Sequence, residues 1–303
     1  MSGDVGAFAH TPYDGSHKPF TIGMSLLDPR EWIEVDGHIG RYLAEKDELF
    51  ATSRDVVFRE ETETRAAQGE VLAMLADFLP QRFPETYRRD GSRIEIVPLG
   101  RSIDLDGGEP PLMTASRFVQ EDLCLMRDGP GGYRLAAASL CFPSSWSLAE
   151  KFGATLDGLH GNVPGYAGGF GPRMNRIFSN LRTELPAQRL NWSLYADDEL
   201  HHPASKARPR HWFDAEAGDF GAFVRVERQT LRRLPVSGDI LFTIRIYVDP
   251  VDAFRRHPDG ARLAAGLRDD ILRLDEAQLT YKALLEGRDR VASALGEIAG
   301  SNG

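Results

Sequence analysis

Three short stretches of the 303-residue chain hold residue types able to do chemistry. In "LDGLHGNVPGY" (156–166) a lone histidine, His160, sits in a segment rich in Gly and Leu. It is open to two readings: a loop imidazole hydrogen-bonded to backbone, or a ligand. As a ligand, one neutral imidazole from a mostly apolar wall suits haem iron better than zinc, which needs two or three further protein ligands nearby. No C-x-x-C-H occurs, so such a haem is held without covalent attachment. In "FVRVERQTLRR" (223–233), Arg225, Glu227 and Gln229 alternate with Val224, Val226 and Arg228. That polar face is either the solvent side of an edge strand or the wall of a pocket. In a pocket, Glu227 holds a cationic amine or moves a proton, while Arg225 orients it or pairs with an acidic group. "DDELHH" (197–202) sets His201 and His202 beside three acids, but neighbouring side chains of extended backbone point apart and rarely share one metal. A solvated loop is expected there. His10, His17, His38, His211 and His257 form no constellation.

Other signatures are missing. There is no G-x-S-x-G, G-x-x-x-x-G-K-[ST], H-E-x-x-H or C-x-x-C. "GYAGGFG" (165–171) lacks the spacing of a dinucleotide loop; it reads as a flexible loop entering a helix at Pro172, or as backbone amides that hold an anion. Cys124 and Cys141 lie among apolar neighbours, so buried free thiols in a reducing, cytoplasmic compartment are expected. The net charge of −9 is spread without a basic stripe, which argues against nucleic acid as a partner. No run of eighteen apolar residues predicts a membrane span, and the first twenty residues lack the pattern of a secretory signal.

The elements that must position these residues follow from periodicity. Val71, Leu72, Leu75, Phe78 and Leu79 recur at helical spacing within 64–79, with Pro80 as the stop. Met174, Ile177, Phe178 and Leu181 predict a helix over 173–183 with Pro172 at its start. "GYRLAAASLCF", "QRLNWSLY", "AFVRVERQTLRRL" and "DILFTIRIYV" read as strands, the last two as an antiparallel hairpin across "SGD". Helical patterns fill 261–274 and 276–299. Strands in the middle with helices before and after predict an α+β fold, an antiparallel sheet covered by helices. The expected organisation is a flexible arm over 1–20 and one domain over 21–303, with helical N- and C-terminal extensions.

"LCFPSSWSLAEKFGATLDGLHGNVPGY", "QRLNWSLYADDEL" and "VRVERQTLRRLPVSGDILFTIRIYV" together resemble the α subunit of haem-dependent oxidative N-demethylase, and "VQEDLCLM" and "TYKALL" extend the likeness over roughly 20–285. The resemblance implies a PAS-like antiparallel sheet with flanking helices enclosing a haem b pocket. It implies removal of a methyl group from a secondary amine with O₂, releasing formaldehyde. Electrons then come from NADPH through a separate flavin-containing reductase subunit. Carried over by motif, His160 is the haem ligand, Asn191 and Trp192 line the cofactor pocket, and Arg225 and Glu227 serve the reaction. The glycine-rich segment 165–171 departs from the group's pattern, so dimethylamine is not carried over as the substrate. A haem-binding sensor or a non-catalytic scaffold would share the fold, since fold does not fix function.

Overall fold

The computed structural model describes residues 8–16, 18–204 and 221–300. In chain order the strands are β1 (Ser25–Leu26), β2 (Phe58–Glu60), β3 (Tyr87–Asp90), β4 (Arg93–Ile96), β5 (Arg101–Asp104), β6 (Asp122–Arg127), β7 (Arg134–Ser139), β8 (Ala187–Tyr195), β9 (Phe223–Arg233) and β10 (Ile240–Pro250). The helices are α1 (Ile39–Thr52), α2 (Arg54–Val57), α3 (Arg65–Arg82), α4 (Pro111–Ser116), α5 (Leu148–Lys151), α6 (Leu156–His160), α7 (Gly171–Asn180), α8 (Gly260–Arg273), α9 (Glu276–Tyr281) and α10 (Arg288–Gly300).

The hairpin predicted at 223–248 forms the spine. β9 and β10 pair antiparallel from Phe223↔Pro250 to Arg233↔Ile240. Around them the larger sheet has the order β1-β8-β9-β10-β6-β7-β2, antiparallel throughout. The α+β expectation holds. β9 is interior to this sheet, so the solvent-face reading of Arg225, Glu227 and Gln229 is excluded: an interior strand has both edges paired, and Arg225 is only 1% and Glu227 9% exposed.

Apolar side chains pack on both faces. One cluster joins Trp32, Tyr42, Val71, Leu75 and Leu79 to Leu123, Leu125, Leu241 and Ile246. The other sets Trp192, Leu194, Val224 and Val226 against Leu263, Leu267, Ile271, Val291 and Leu295. The last five recur at i, i+4 spacing within α8 and α10, and each such buried side chain contributes roughly 1.5–3 kcal/mol relative to exposure. Cys124 and Cys141 are buried free thiols, as their apolar surroundings predicted.

Several boundaries differ from the sequence reading. Pro80 does not end α3 at once; it lacks the N–H that would bond the Ala76 carbonyl, and the helix runs only two residues further before the Phe83 N–H closes it on the Leu79 carbonyl. The helix predicted over 276–299 is broken after Tyr281. There the backbone reverses through Ala283 at φ 55°, and the Lys282 ammonium donates to the Trp192 carbonyl. A small sheet β3-β4-β5 was not foreseen, although the two-residue turn at Gly91 and Ser92, with Gly91 at φ 56°, signals its first hairpin. The arm expected over 1–20 is not free where it is described. Tyr13 is fully buried, Phe8 packs on Phe254, and His10 bonds the Glu34 carboxylate at 2.9 Å.

Candidate functional site

His160 closes the five-residue helix α6, whose start is capped by the Thr155 hydroxyl accepting from the Gly158 N–H. Its Nδ1 lies 2.9 Å from the Leu156 carbonyl oxygen. A carbonyl only accepts, so Nδ1 carries the proton and Nε2 keeps its lone pair. Among the described residues nothing bonds Nε2. The ring stacks on Tyr166 at 5.2 Å between centroids and 13° between planes. The Tyr166 hydroxyl donates to Asp157 Oδ1 at 2.8 Å, and Asn175 Nδ2 donates to the same oxygen at 3.1 Å. Burial lowers the basicity of His160; the bond to Leu156 opposes this, and the positive charge of Arg189 adds to it. The imidazole is therefore held neutral, turned and steadied by Tyr166, with one nitrogen open to a ligand.

The glycine-rich stretch supplies Tyr166. Residues Tyr166–Phe170 form a π-helical turn that runs directly into α7, and the Gly171 N–H closes it on the Tyr166 carbonyl. This corrects the expectation of a flexible loop. The alternative, an array of free amides for an anion, is not met at the expected start either, because Pro172 has no N–H and the Gly171 N–H is engaged. Glycine is required at 171: a Cβ there would stand 3.0 Å from Tyr166 Cε1 and 3.1 Å from its carbonyl oxygen.

Across from this segment, β8 and β9 present a second set of groups. The register pairs Arg189 with Gln229, Asn191 with Glu227 and Ser193 with Arg225. Directly opposed residues share a face, so these six point one way, while Leu190, Trp192 and Leu194 point the other. Trp192 accordingly lies in the cluster against the C-terminal helices, under the Lys282 ammonium at 4.2 Å from its ring centroid, and not on the face that bears Asn191 and Glu227. Glu227 accepts a 2.7 Å bond from Gln229 Nε2. The side-chain amide of Asn191 makes no hydrogen bond among the described residues.

Arg189 was not singled out from the sequence. Its Nε is shielded from solvent and has no hydrogen-bond partner, and it lies within 4 Å of no described carboxylate. Burial lowers the guanidinium's pKa while Glu227 and then Tyr281 favour its charge. The Tyr281 phenol, at the end of α9, is itself pushed up to about 12 by burial, with Glu227 next in effect. One charge field thus links His160, Arg189, Glu227 and Tyr281. The one available signal was period two: Arg189 is two residues before Asn191 on the same strand face.

Arg225 has a different place. Its Nε donates to Ser144 Oγ at 2.9 Å, Nη1 to the Glu199 carbonyl at 3.1 Å, and Nη2 to the Phe142 and Leu200 carbonyls, each at 2.9 Å. A guanidinium engaged in this way clamps two loops and stands in no position to orient a ligand. "DDELHH" is a solvated loop only in part: Asp198 and Glu199 are exposed, while the two histidines are held against the fold. His201 Nδ1 donates to the Cys141 carbonyl at 2.7 Å, and His202 is 8% exposed, its Nε2 3.0 Å from Asp197 Oδ1. Asp197, Glu199 and His202 bring ligand atoms within 4.8 Å of one another; His201 takes no part, as adjacent side chains on extended backbone predict. His17 and His211 lie outside the described residues, and His10, His38 and His257 stay apart from His160 in the fold's other regions.

A groove of about 660 Å³ opens between Gly161, Asn162, Val163 and Pro164, just past His160, and Glu276, Ala277, Thr280 and Tyr281 of α9. That volume is in the range of small-molecule and cofactor sites. A neutral imidazole with a free Nε2 beside such a groove fits the demand of a haem iron for one nitrogen donor. The fold is α+β, and it sets a lone imidazole near a sheet face that bears a carboxylate and an arginine. A family model described as haem-dependent oxidative N-demethylase, alpha subunit-like, matches residues 23–292, and the chain belongs to that family. The family's description names a haem-dependent oxidative enzyme and one subunit of a larger assembly. No helix among the described residues is long and apolar enough to cross a membrane.

Proposed function

We propose that the chain binds haem b through His160 Nε2 and oxidatively removes a methyl group from a secondary amine. The observation that carries this reading is the His160 tautomer, fixed by Leu156 so that the nitrogen facing away from α6 is the one with a lone pair. The sheet also supports it. Taken in chain order, β6, β7, β8, β9 and β10 stand in the order 2-1-5-4-3, with the first and last side by side, as in a PAS-like domain. Haem bound there would supply the oxidation of the N-methyl carbon: amine, O₂, two electrons and two protons give the demethylated amine, formaldehyde and water. The electrons come from NADPH through a flavin-containing reductase subunit, in keeping with an α subunit and with a sequence that lacks a dinucleotide fingerprint.

The chain's own residues do the rest. Glu227, nearly buried and steadied by Gln229, accepts the N–H of a secondary ammonium and can take its proton. The free amide of Asn191, directly across the strand pair, orients the same nitrogen. Leu156 and Tyr166 keep the imidazole in one plane, and Arg225 holds the loops 142–144 and 199–200 under the sheet. The test is an absorption spectrum of the purified chain after haem supply, with and without dithionite and CO. A Soret band is expected in the wild type and its loss in His160→Ala; a colourless wild type, or a variant with an unchanged band, overturns the proposal.

A further inference from the structure

Arg189 is the charged group near the site that the reaction as stated leaves without a task. Its face is settled by the register of β8 on β9, which sets it beside Asn191 and Glu227. Other inward arginines are engaged: Arg225 on five backbone and hydroxyl oxygens, Arg245 on Asp36 Oδ2 at 2.6 Å, and Arg233 on the Leu181 and Phe178 carbonyls. Arg189 has a shielded Nε with no acceptor and no carboxylate within ion-pair distance among the described residues; Arg232 shares that state, but its guanidinium lies over the Trp32 ring at 4.5 Å from the centroid. Glu227 cannot serve it. The two act on each other electrostatically, yet the carboxylate is turned to Gln229. Arg189 is half-buried with only its Nε shielded, so its terminal nitrogens remain free to meet an external anion, and the planar fork of a guanidinium matches a carboxylate.

We infer that Arg189 is a carboxylate-binding residue of this sheet face, where it lines a small cavity with Lys18, Phe20 and Asn191. The inference rests on the reading above, because two carboxylates can enter such a pocket: that of an N-methylated amino acid, or a propionate of haem. In the first case Glu227 takes the ammonium and Arg189 the carboxylate, and the substrate class is zwitterionic rather than a simple dialkylamine. In the second Arg189 anchors the cofactor's edge, and specificity for the amine lies with Glu227 and Asn191 alone.

Arg189→Gln keeps length and hydrogen-bonding capacity but removes the charge, and Arg189→Lys serves where the first folds poorly. In one arm, haem and haem dimethyl ester are titrated into the haem-free full-length chain and followed at the Soret band. A propionate partner shows as a loss of about tenfold or more in haem affinity in the variant, with the ester bound alike by both proteins. In the other arm, N-methylglycine and dimethylamine are titrated by calorimetry. A substrate carboxylate shows as a preference of about tenfold or more for N-methylglycine in the wild type, abolished in the variant with dimethylamine unaffected. If Arg189→Gln moves neither measurement, the inference is overturned. Failure of the wild type to take up haem at all would instead sink the haem reading, and calorimetry on the haem-free chain would still report on Arg189.

Discussion

His160 and Glu227 are single side chains whose roles follow from which of their atoms are already engaged. Nδ1 of His160 is occupied and Nε2 is open, while one oxygen of Glu227 takes a bond from Gln229. Glu227→Gln preserves shape and removes the base. Its expected effect is a fall of about a hundredfold or more in amine turnover with the haem spectrum unchanged, measured as formaldehyde release with a supplied reductant. Equal turnover would remove Glu227 from the chemistry. At this scale the sequence shows which residue types could act and not which partners already hold them. His160, Glu227 and Asn191 could be marked by type and motif. Arg225 was marked for the same reason, yet backbone carbonyls from residues 142–143 and 199–200 claim it, and no local pattern announces a partner eighty residues away. Trp192 was named beside Asn191 although period-two alternation already sends neighbours to opposite faces.

Two elements set the geometry: the π-helical turn before α7 and the strand β8. The turn carries Tyr166 onto the His160 ring, and Gly171 leaves room for that ring. Gly171→Ala should push Tyr166 by a few tenths of an ångström at a cost of roughly 1–3 kcal/mol, lowering haem affinity several-fold and shifting the reduction potential. Gly169→Ala, with nothing within 4 Å of the added carbon, is the matched control and should be neutral. Equal haem titrations for the two variants would show that the stacking does not matter. Strands and long helices were legible because alternation and 3.6-residue spacing are local. The π turn was not, since glycine-rich sequence encodes permission to bend, and the contact between Tyr166 and His160 chooses the bend. The break after Tyr281 likewise reflects a tertiary contact, Lys282 on Trp192, overriding a helical pattern.

Over the whole molecule, the described N-terminal residues and the C-terminal helices close one face of the sheet. Asp249, near the end of β10, is caught by this cover. Burial raises its pKa from the ordinary 3.8 to about 6; His38 opposes the rise and Asp36 adds to it. The folded chain therefore binds this proton more tightly than the unfolded one, so its contribution to stability is full below about pH 4 and is lost as pH rises to about 6. Asp249→Asn should recover about 1–2 kcal/mol at pH 7 and nothing near pH 4, read from urea unfolding at the two pH values. A gain of the same size at both would show that charge burial is not the cause. The order of the large sheet has a further consequence, one of time. β6 and β10 pair as Asp122↔Ile244 through Ile240↔Met126, so the sheet's middle is joined by residues more than a hundred positions apart. Such closures are slow and wait for the later partner. Everything between them, the His160 segment and the strand with Arg189 and Asn191 included, is made before the strand that fixes its place exists. The candidate site is consequently expected to take shape among the last parts of a growing chain, with any cofactor loaded after synthesis rather than during it.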